Sequence, residues 1–173
     1  WADRLRPVSL ARFGVDLDQA HEAAKGGDSY NLMAGARRFD LGNYNYPAAM
    51  ACAKSLEIIA TVGTKVIESH VTALAHGLAQ GLFDLGLPVA GGAPGPHLGS
   101  IVSVGELGAK GHGTADDPLI NSLHQHLTKN GVKLSVRQGM LRMALHLYNT
   151  DDDISRVLDL TAQWAKICVI CDG

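Results

Sequence analysis

Hydrophobic and polar positions change their period twice along the chain. From residue 1 to 46 no period is sustained, and Gly26-Gly27 and Gly42-Asn43 are turn signals. Val15 to Ala24 reads as a short helix or an ordered loop, and the whole segment reads as an arm that needs something else to pack on. From Pro47 the texture becomes helical. Proline is tolerated in a first turn, and Ala48 to Ala60 is rich in alanine, leucine and isoleucine. Gly63 breaks this helix, and Thr64 is expected to cap a second one. Val66, Ile67, Val71, Leu74, Leu78 and Leu82 then recur at helical spacing until Gly86.

After Gly86 the pattern turns to strands and loops. Leu87 to Ala90 is a short candidate strand, Gly91 to Pro96 a loop, and Leu98 to Val104 a strand alternating around β-branched residues. Gly105 to Gly113 is loop. Asp116-Asp117-Pro118 opens a helix through Leu119, Ile120, Leu123 and Leu127, closed by Asn130-Gly131. Val132 to Val136 and Met140 to Leu147 are extended runs hinged at Gln138-Gly139. Asn149 and Thr150 then cap a last helix to Ile167, amphipathic through Ile154, Val157, Leu158 and Leu160. The order predicts an α+β layer: an antiparallel sheet, with Leu98–Val104, Val132–Val136 and Met140–Leu147 as neighbours, and helices on one face. The expected organisation is an arm (1–46), a long helical connection (47–86) and a small α+β domain (87–173).

Composition narrows the class. At 173 residues the chain is long enough for one compact domain with a single core, and its formal charge of -2 carries no basic footprint for nucleic acid. No apolar run approaches the roughly 18 residues of a membrane span. Three cysteines are few and odd in number, which argues against a disulfide framework and for a reducing cytoplasm.

Most candidate chemistry on the chain has a structural explanation. Gly91 to Gly99 is glycine-rich, but it lacks the G-x-G-x-x-G strand-to-helix turn of a nucleotide loop. Cys168-x-x-Cys171 stands alone, without the second pair a zinc site needs. His124 and His126 lie about 200° apart around a helix axis and cannot share a metal. His146 alternates in phase with Arg142 and Ala144, so it is expected on their face of the last strand, as a structural histidine. Two features remain. Arg142 is either a solvent-facing strand charge or, beside a cleft, a fork that fits a carboxylate. Gly42 permits a close backbone approach, and Asn43 and Asn45 place amide donors and acceptors around it. That turn is either a polar entry to the helix at Pro47 or a ligand-binding loop.

The stretch around Arg142 has the form LSVR-x-G-x-LR-x-x-x-H-x-YNT-x-x-D-I and ends in Tyr148-Asn149-Thr150-Asp151-Asp152-Asp153-Ile154. It resembles the C-terminal end of class V aminotransferase-like enzymes of fold type I, which use pyridoxal 5'-phosphate (PLP). Cysteine desulfurases, selenocysteine lyases, kynureninases and isopenicillin N epimerase-like proteins belong to that group. Arg37-Arg38-Phe39-Asp40-Leu41-Gly42-Asn43-Tyr44-Asn45-Tyr46-Pro47 resembles the group's R-F-E-x-G-T-x-N segment, in the group's order and at about its distance. The resemblance covers nearly the whole chain.

It implies the C-terminal portion of an enzyme acting on a small amino-acid substrate: the small domain, preceded by an arm from the large domain. It further implies a homodimer, with no nucleic-acid or membrane partner. Arg142 matches the arginine that holds the substrate carboxylate, and Arg137 matches a second basic position of open role. Gly42, Asn43 and Asn45 match the loop that reaches the cofactor phosphate of the partner subunit, with Asn43 in place of the group's threonine. Trp1 falls shortly after the position of the cofactor-bearing lysine, and the chain starts abruptly, like the middle of a protein. Lys25, Lys54, Lys65, Lys110, Lys129, Lys133 and Lys166 all lack that lysine's context. The chain alone is therefore expected to be inactive. Only Gln138-Gly139-Met140-Leu141 separate the two arginines, with no room for the cysteine loop of some desulfurases. This favours an epimerase, C–S lyase or aminotransferase-like reaction. The alternatives are a non-catalytic fragment and a standalone protein-interaction domain.

Overall fold

The computed structural model describes residues 1–16, 30–108 and 113–171, the last four for their backbone only. Lys25, the Gly26-Gly27 turn, Lys110, and the side chains of Cys168 and Cys171 lie outside the described residues. The chain divides into two units, Trp1–Glu57 and Ile58–Gly173.

In the first unit, short 3-10 turns at Ala2–Arg4, Arg12–Gly14 and Gly35–Phe39 flank two-residue strands, β1 (Val15–Asp16) and β2 (Asn31–Leu32). The strands pair antiparallel, Val15 opposite Leu32. Strand stands at Val15 and Asp16, and the rest of the Val15 to Ala24 segment, read from sequence as a short helix or ordered loop, lies outside the described residues. No apolar side chain is buried here; among the described residues only Gly14 and Arg38 are. Arg38 is the centre of the unit. Its Nη1 donates to the carbonyls of Asp3 (2.7 Å) and Leu5 (3.3 Å), its Nη2 meets Asp3 Oδ1 at 2.6 Å, and its Nε donates to Met33 at 3.2 Å. These charge-assisted bonds tie the Gly35–Phe39 turn to residues 3, 5 and 33.

Helix α1 (Tyr46–Val62) crosses the boundary between units, and α2 (Thr64–Asp84) follows at once. Gly63, at φ 89°, takes the N-cap of α2, so Thr64 is its first residue and not its cap. The second unit continues with β3 (Ile101–Val104), α3 (Pro118–Lys129), β4 (Ser135–Arg137), β5 (Met140–Ala144) and α4 (Asp151–Cys171). The sheet order is β3-β5-β4, antiparallel throughout. Leu87 to Ala90 forms no strand. Only Val89 bridges to Val104, because the residues before it complete the end of α2 and Gly91, at φ 86°, turns the chain away.

Strand alternation sorts the sheet into two faces. Val102, Val104, Val136, Leu141 and Met143 are buried. They pack with Leu74, Leu78 and Leu82 of α2, Ile120, Leu123 and Leu127 of α3, and Ile154 and Trp164 of α4. The helices thus cover one face, as the sequence pattern predicts. Both α2 and α3 end in the same bond pair: Leu87 N–H to Leu82 and Gly86 N–H to Phe83, then Val132 N–H to Leu127 and Gly131 N–H to Thr128. These Schellman ends satisfy carbonyls that would otherwise be orphaned. The Trp164 indole N–H donates to Ser122 Oγ at 3.1 Å, tying α4 to α3.

Candidate functional site

Arg142 lies on the middle strand of the sheet, on the face the helices leave open. The register puts Ser103 of β3 and Ser135 of β4 directly opposite it, one on each side. Small hydroxyl residues on both flanks leave space around the half-buried guanidinium. Arg137 pairs with Met140 and so lies diagonal to Arg142 on the same face, where such neighbours stand roughly 7–8 Å apart. Neither arginine has an acidic or hydrogen-bonding partner among the described residues, in contrast to Arg38. Two unneutralised guanidinium groups on one sheet face make a site for an anion. The juxtaposition follows from the Gln138-Gly139 turn, with φ 50° and 81°, which fixes the register of β4 on β5. The flanking serines were not legible beforehand, because only the register reveals them.

The second candidate belongs to the first unit. Gly42 and Asn43 both have positive φ, 72° and 53°, so the chain turns tightly just before α1. A Cβ at Gly42 would stand 2.7 Å from the Phe13 ring. An open depression of about 550 Å³ lies at this turn, lined by Phe13, Gly42, Asn43, Tyr44 and Tyr46. Asn45 Oδ1 accepts from Ala48 N–H at 3.1 Å, capping α1, so this oxygen is engaged. Gly42 N–H donates to Asp40 Oδ1 at 3.1 Å. The N–H groups of Asn43, Tyr44 and Asn45 and the Asn43 amide make no hydrogen bond among the described residues. Consecutive free N–H groups in a left-handed turn suit phosphate oxygens. A phosphate monoester fits this donor set, through Asn43 more than through Asn45, with the Asp40 carboxylate as an opposing charge at Gly42.

His146 departs from expectation. β5 ends at Ala144, and His146 lies beyond it in the turn. It is exposed and stacked on Tyr148, with ring centroids 4.9 Å apart. Asn149 organises that turn. Its Oδ1 accepts from His146 N–H (2.9 Å), its Nδ2 donates to Asp153 (3.2 Å), and its carbonyl lies 2.9 Å from His70 Nε2 of α2. The asparagine and threonine ahead of α4 stand out in the sequence, but the bond to His70, 79 residues away, does not. Asp153 also accepts the Thr150 N–H at 3.0 Å. That bond, then the Asn149 amide and Arg156, hold its carboxyl below the usual value. The described lysines, Lys54, Lys65, Lys129, Lys133 and Lys166, are all exposed. Among the described residues no cluster of metal-ligating side chains forms, and no helix is long and apolar enough to cross a membrane.

No family model matches the chain. A protein of Bacillus subtilis (strain 168), named as the uncharacterized aminotransferase YcbU, is 25% identical over 160 residues, covering 91% of this chain and 37% of its own length. Among solved structures, the apo cysteine desulfurase of Thermococcus onnurineus NA1 superposes with a TM-score of 0.62. It shares 19% identity and covers 95% of this chain and 40% of its own. The cystine C–S lyase C-DES, in complex with cysteine persulfide, gives a TM-score of 0.66 at 19% identity, over 95% of this chain and 39% of its own. The chain thus spans about two fifths of the length of these relatives. By sequence and by fold it is similar to the C-terminal part of the class V aminotransferase-like proteins of fold type I, and carries the small α+β domain of that fold.

Proposed function

We propose that this chain is the C-terminal portion of a PLP-dependent enzyme acting on an amino-acid substrate, and that Arg142 binds the substrate's carboxylate. The observation that carries the reading is the setting of Arg142: central strand, open face, serines on both flanks and no acidic partner among the described residues. A planar guanidinium there donates two parallel hydrogen bonds to a carboxylate and so fixes orientation as well as affinity. Arg137, diagonal on the same face, adds to the positive field. At the other candidate site, Gly42 brings the backbone close, and Asn43, with the free N–H groups beside it, holds the cofactor phosphate of a partner subunit. Asn45 contributes only through its amide nitrogen, since its oxygen caps α1. Bound PLP supplies an electron sink for bond cleavage at the substrate's α-carbon. The residues described here bind and orient.

The reaction we favour is an epimerisation, a C–S lysis or an aminotransferase-like transfer, in the cytoplasm. Gln138-Gly139 is a two-residue turn, too short to carry a cysteine to the arginine face. The described free cysteine, Cys52, is exposed on α1. The curated relative named as an aminotransferase and the C–S lyase among the solved structures support this range.

Unit one and α1 expose Trp1, Phe13, Tyr46, Met50, Leu56 and Ile58. We assign these surfaces to contacts with the large domain or a second subunit, because exposed apolar residues in this density mark interfaces. The same surface also favours a second reading, a protein-interaction domain without catalysis. Cofactor uptake separates the two, since only the enzyme reading requires the full-length protein to bind PLP.

Substitution of Arg142 tests the main reading. In the full-length protein loaded with PLP, Arg142→Ala removes charge-assisted bonds worth about 1.5–3 kcal/mol each. Amino-acid affinity is expected to fall at least about tenfold, with PLP still bound. Arg142→Lys is expected to restore part of it, keeping the charge but losing the fork. Equal affinity in parent and Arg142→Ala would return Arg142 to a plain surface charge.

A further inference from the structure

A second cleft opens within the unit Ile58–Gly173, at the end of β5, with a volume of about 410 Å³. Arg142 and Arg137 do not line it. Its walls are apolar: Leu78 of α2, Val132 after α3, Met143 and Leu145 around the end of β5, and Ile154 and Val157 of α4. Lys133, Arg156, Asn149 and Asp153 add polar groups. This is the makeup of a small-molecule site, at the small end of the roughly 300–1,000 Å³ typical of such pockets.

We propose that this cleft binds a small amphiphilic carboxylate, such as a short- or medium-chain acid, with its tail on the apolar walls and its head between Lys133 and Arg156. Charge complementarity selects the head. Two cations, Lys133 and Arg156, face one carboxylate, Asp153, which accepts from Thr150 N–H and the Asn149 amide and is also drawn on by Arg156, so one positive charge remains in excess. Lys133 is exposed and has no partner among the described residues. Arg156 spends one nitrogen on the Asn130 carbonyl at 2.9 Å, which anchors the side chain without neutralising it. A cationic ligand would meet both bases, and a purely polar one would leave the apolar walls unmatched. The chain itself supplies the geometry: the Schellman end of α3 delivers Val132 and Lys133 to the cleft, and Asn149 holds the far wall through His146 and Asp153.

Titration of the full-length protein with hexanoate, followed by calorimetry and amide NMR, tests the assignment. Hexanoate is expected to saturate, with shifts centred on Val132, Lys133, Asn149 and Arg156. Acetate, lacking the tail, and hexylamine, reversing the charge, are each expected to bind at least tenfold more weakly. Lys133→Glu, at an exposed position, is expected to weaken hexanoate about tenfold, and Val157→Trp to abolish binding by filling the cleft. Should the tryptophan variant fail to fold, Lys133→Glu decides alone. Any of four results overturns the proposal: no saturation, equal affinity for hexylamine, an unchanged Lys133→Glu variant, or shifts centred on Arg142 and Ser103. The last would place the carboxylate on the sheet face and leave the Arg142 reading standing.

Discussion

Asp153 sits three residues into α4 from its cap and reaches back to the Thr150 N–H, the reciprocal half of a capping box. Because that bond and the Asn149 amide favour the charged form, its carboxyl titrates below the ordinary 3.8 in the folded chain. A depressed folded value means the stabilisation is present above the unfolded value and fades as pH falls through the folded one. Asp153→Ala is therefore expected to lower the melting temperature at pH 7, with the gap to the parent closing below about pH 4. Thermal melts from pH 3 to 7 check this; a gap that widened on acidification would contradict it. Gly139 is a sterner case. An added Cβ there would stand 2.7 Å from Gly108 N and 2.8 Å from Glu106 O, both backbone atoms, at φ 81°. Gly139→Ala is expected to cost about 1–3 kcal/mol in denaturant unfolding, the usual range for overpacking. The sequence marked Gly139 as a turn residue, while its contact with the 105–108 segment is a tertiary fact that no local pattern carries.

Among elements, the sheet and the helix ends were the most legible, because alternation and capping residues are local signals. Asp117 accepts the Leu119 N–H at 2.8 Å where Asp116-Asp117-Pro118 pointed to a helix start, and Gly86 and Gly131 follow the helix ends the pattern marked. Strand lengths were less legible. β5 stops at Ala144 because Asn149 draws the chain into a turn at His146, so the apolar run to Leu147 overstates the ladder. β3 begins only at Ile101, the partner of Ala144, although Leu145 N–H still reaches the Ser100 carbonyl at 2.9 Å. Thr64 misled for a different reason: with a glycine before it, the N-cap moved back one residue. The helical layer under the sheet is the stabilising element. Leu78 is 1% exposed between α2 and the sheet, and Leu78→Ala is expected to cost about 2–5 kcal/mol. A loss under about 1 kcal/mol on chemical denaturation would show that this layer is not the core.

At the scale of the molecule, the second unit has a core, whereas among the described residues of the first no apolar side chain is buried. Burial, backbone pairing and helix ends account for the described part of Ile58–Gly173, whereas in Trp1–Glu57 the described side-chain bonds centre on Arg38 with Asp3, Leu5 and Met33. The sequence changes period near Pro47, whereas the units part between Glu57 and Ile58, within α1, and a double arginine does not reveal which of the pair turns inward. The two candidate sites divide in the same way, the Gly42 turn in one unit and Arg142 in the other. The most direct test of the enzyme reading compares, in the PLP-loaded full-length protein, an amino-acid substrate with the amine that lacks only its carboxylate. The parent is expected to prefer the amino acid by at least about tenfold and Arg142→Ala to show little preference, a coupling of about 1.4 kcal/mol or more. A preference for the amino acid that survives Arg142→Ala undiminished would contradict the account and place carboxylate recognition elsewhere in the protein.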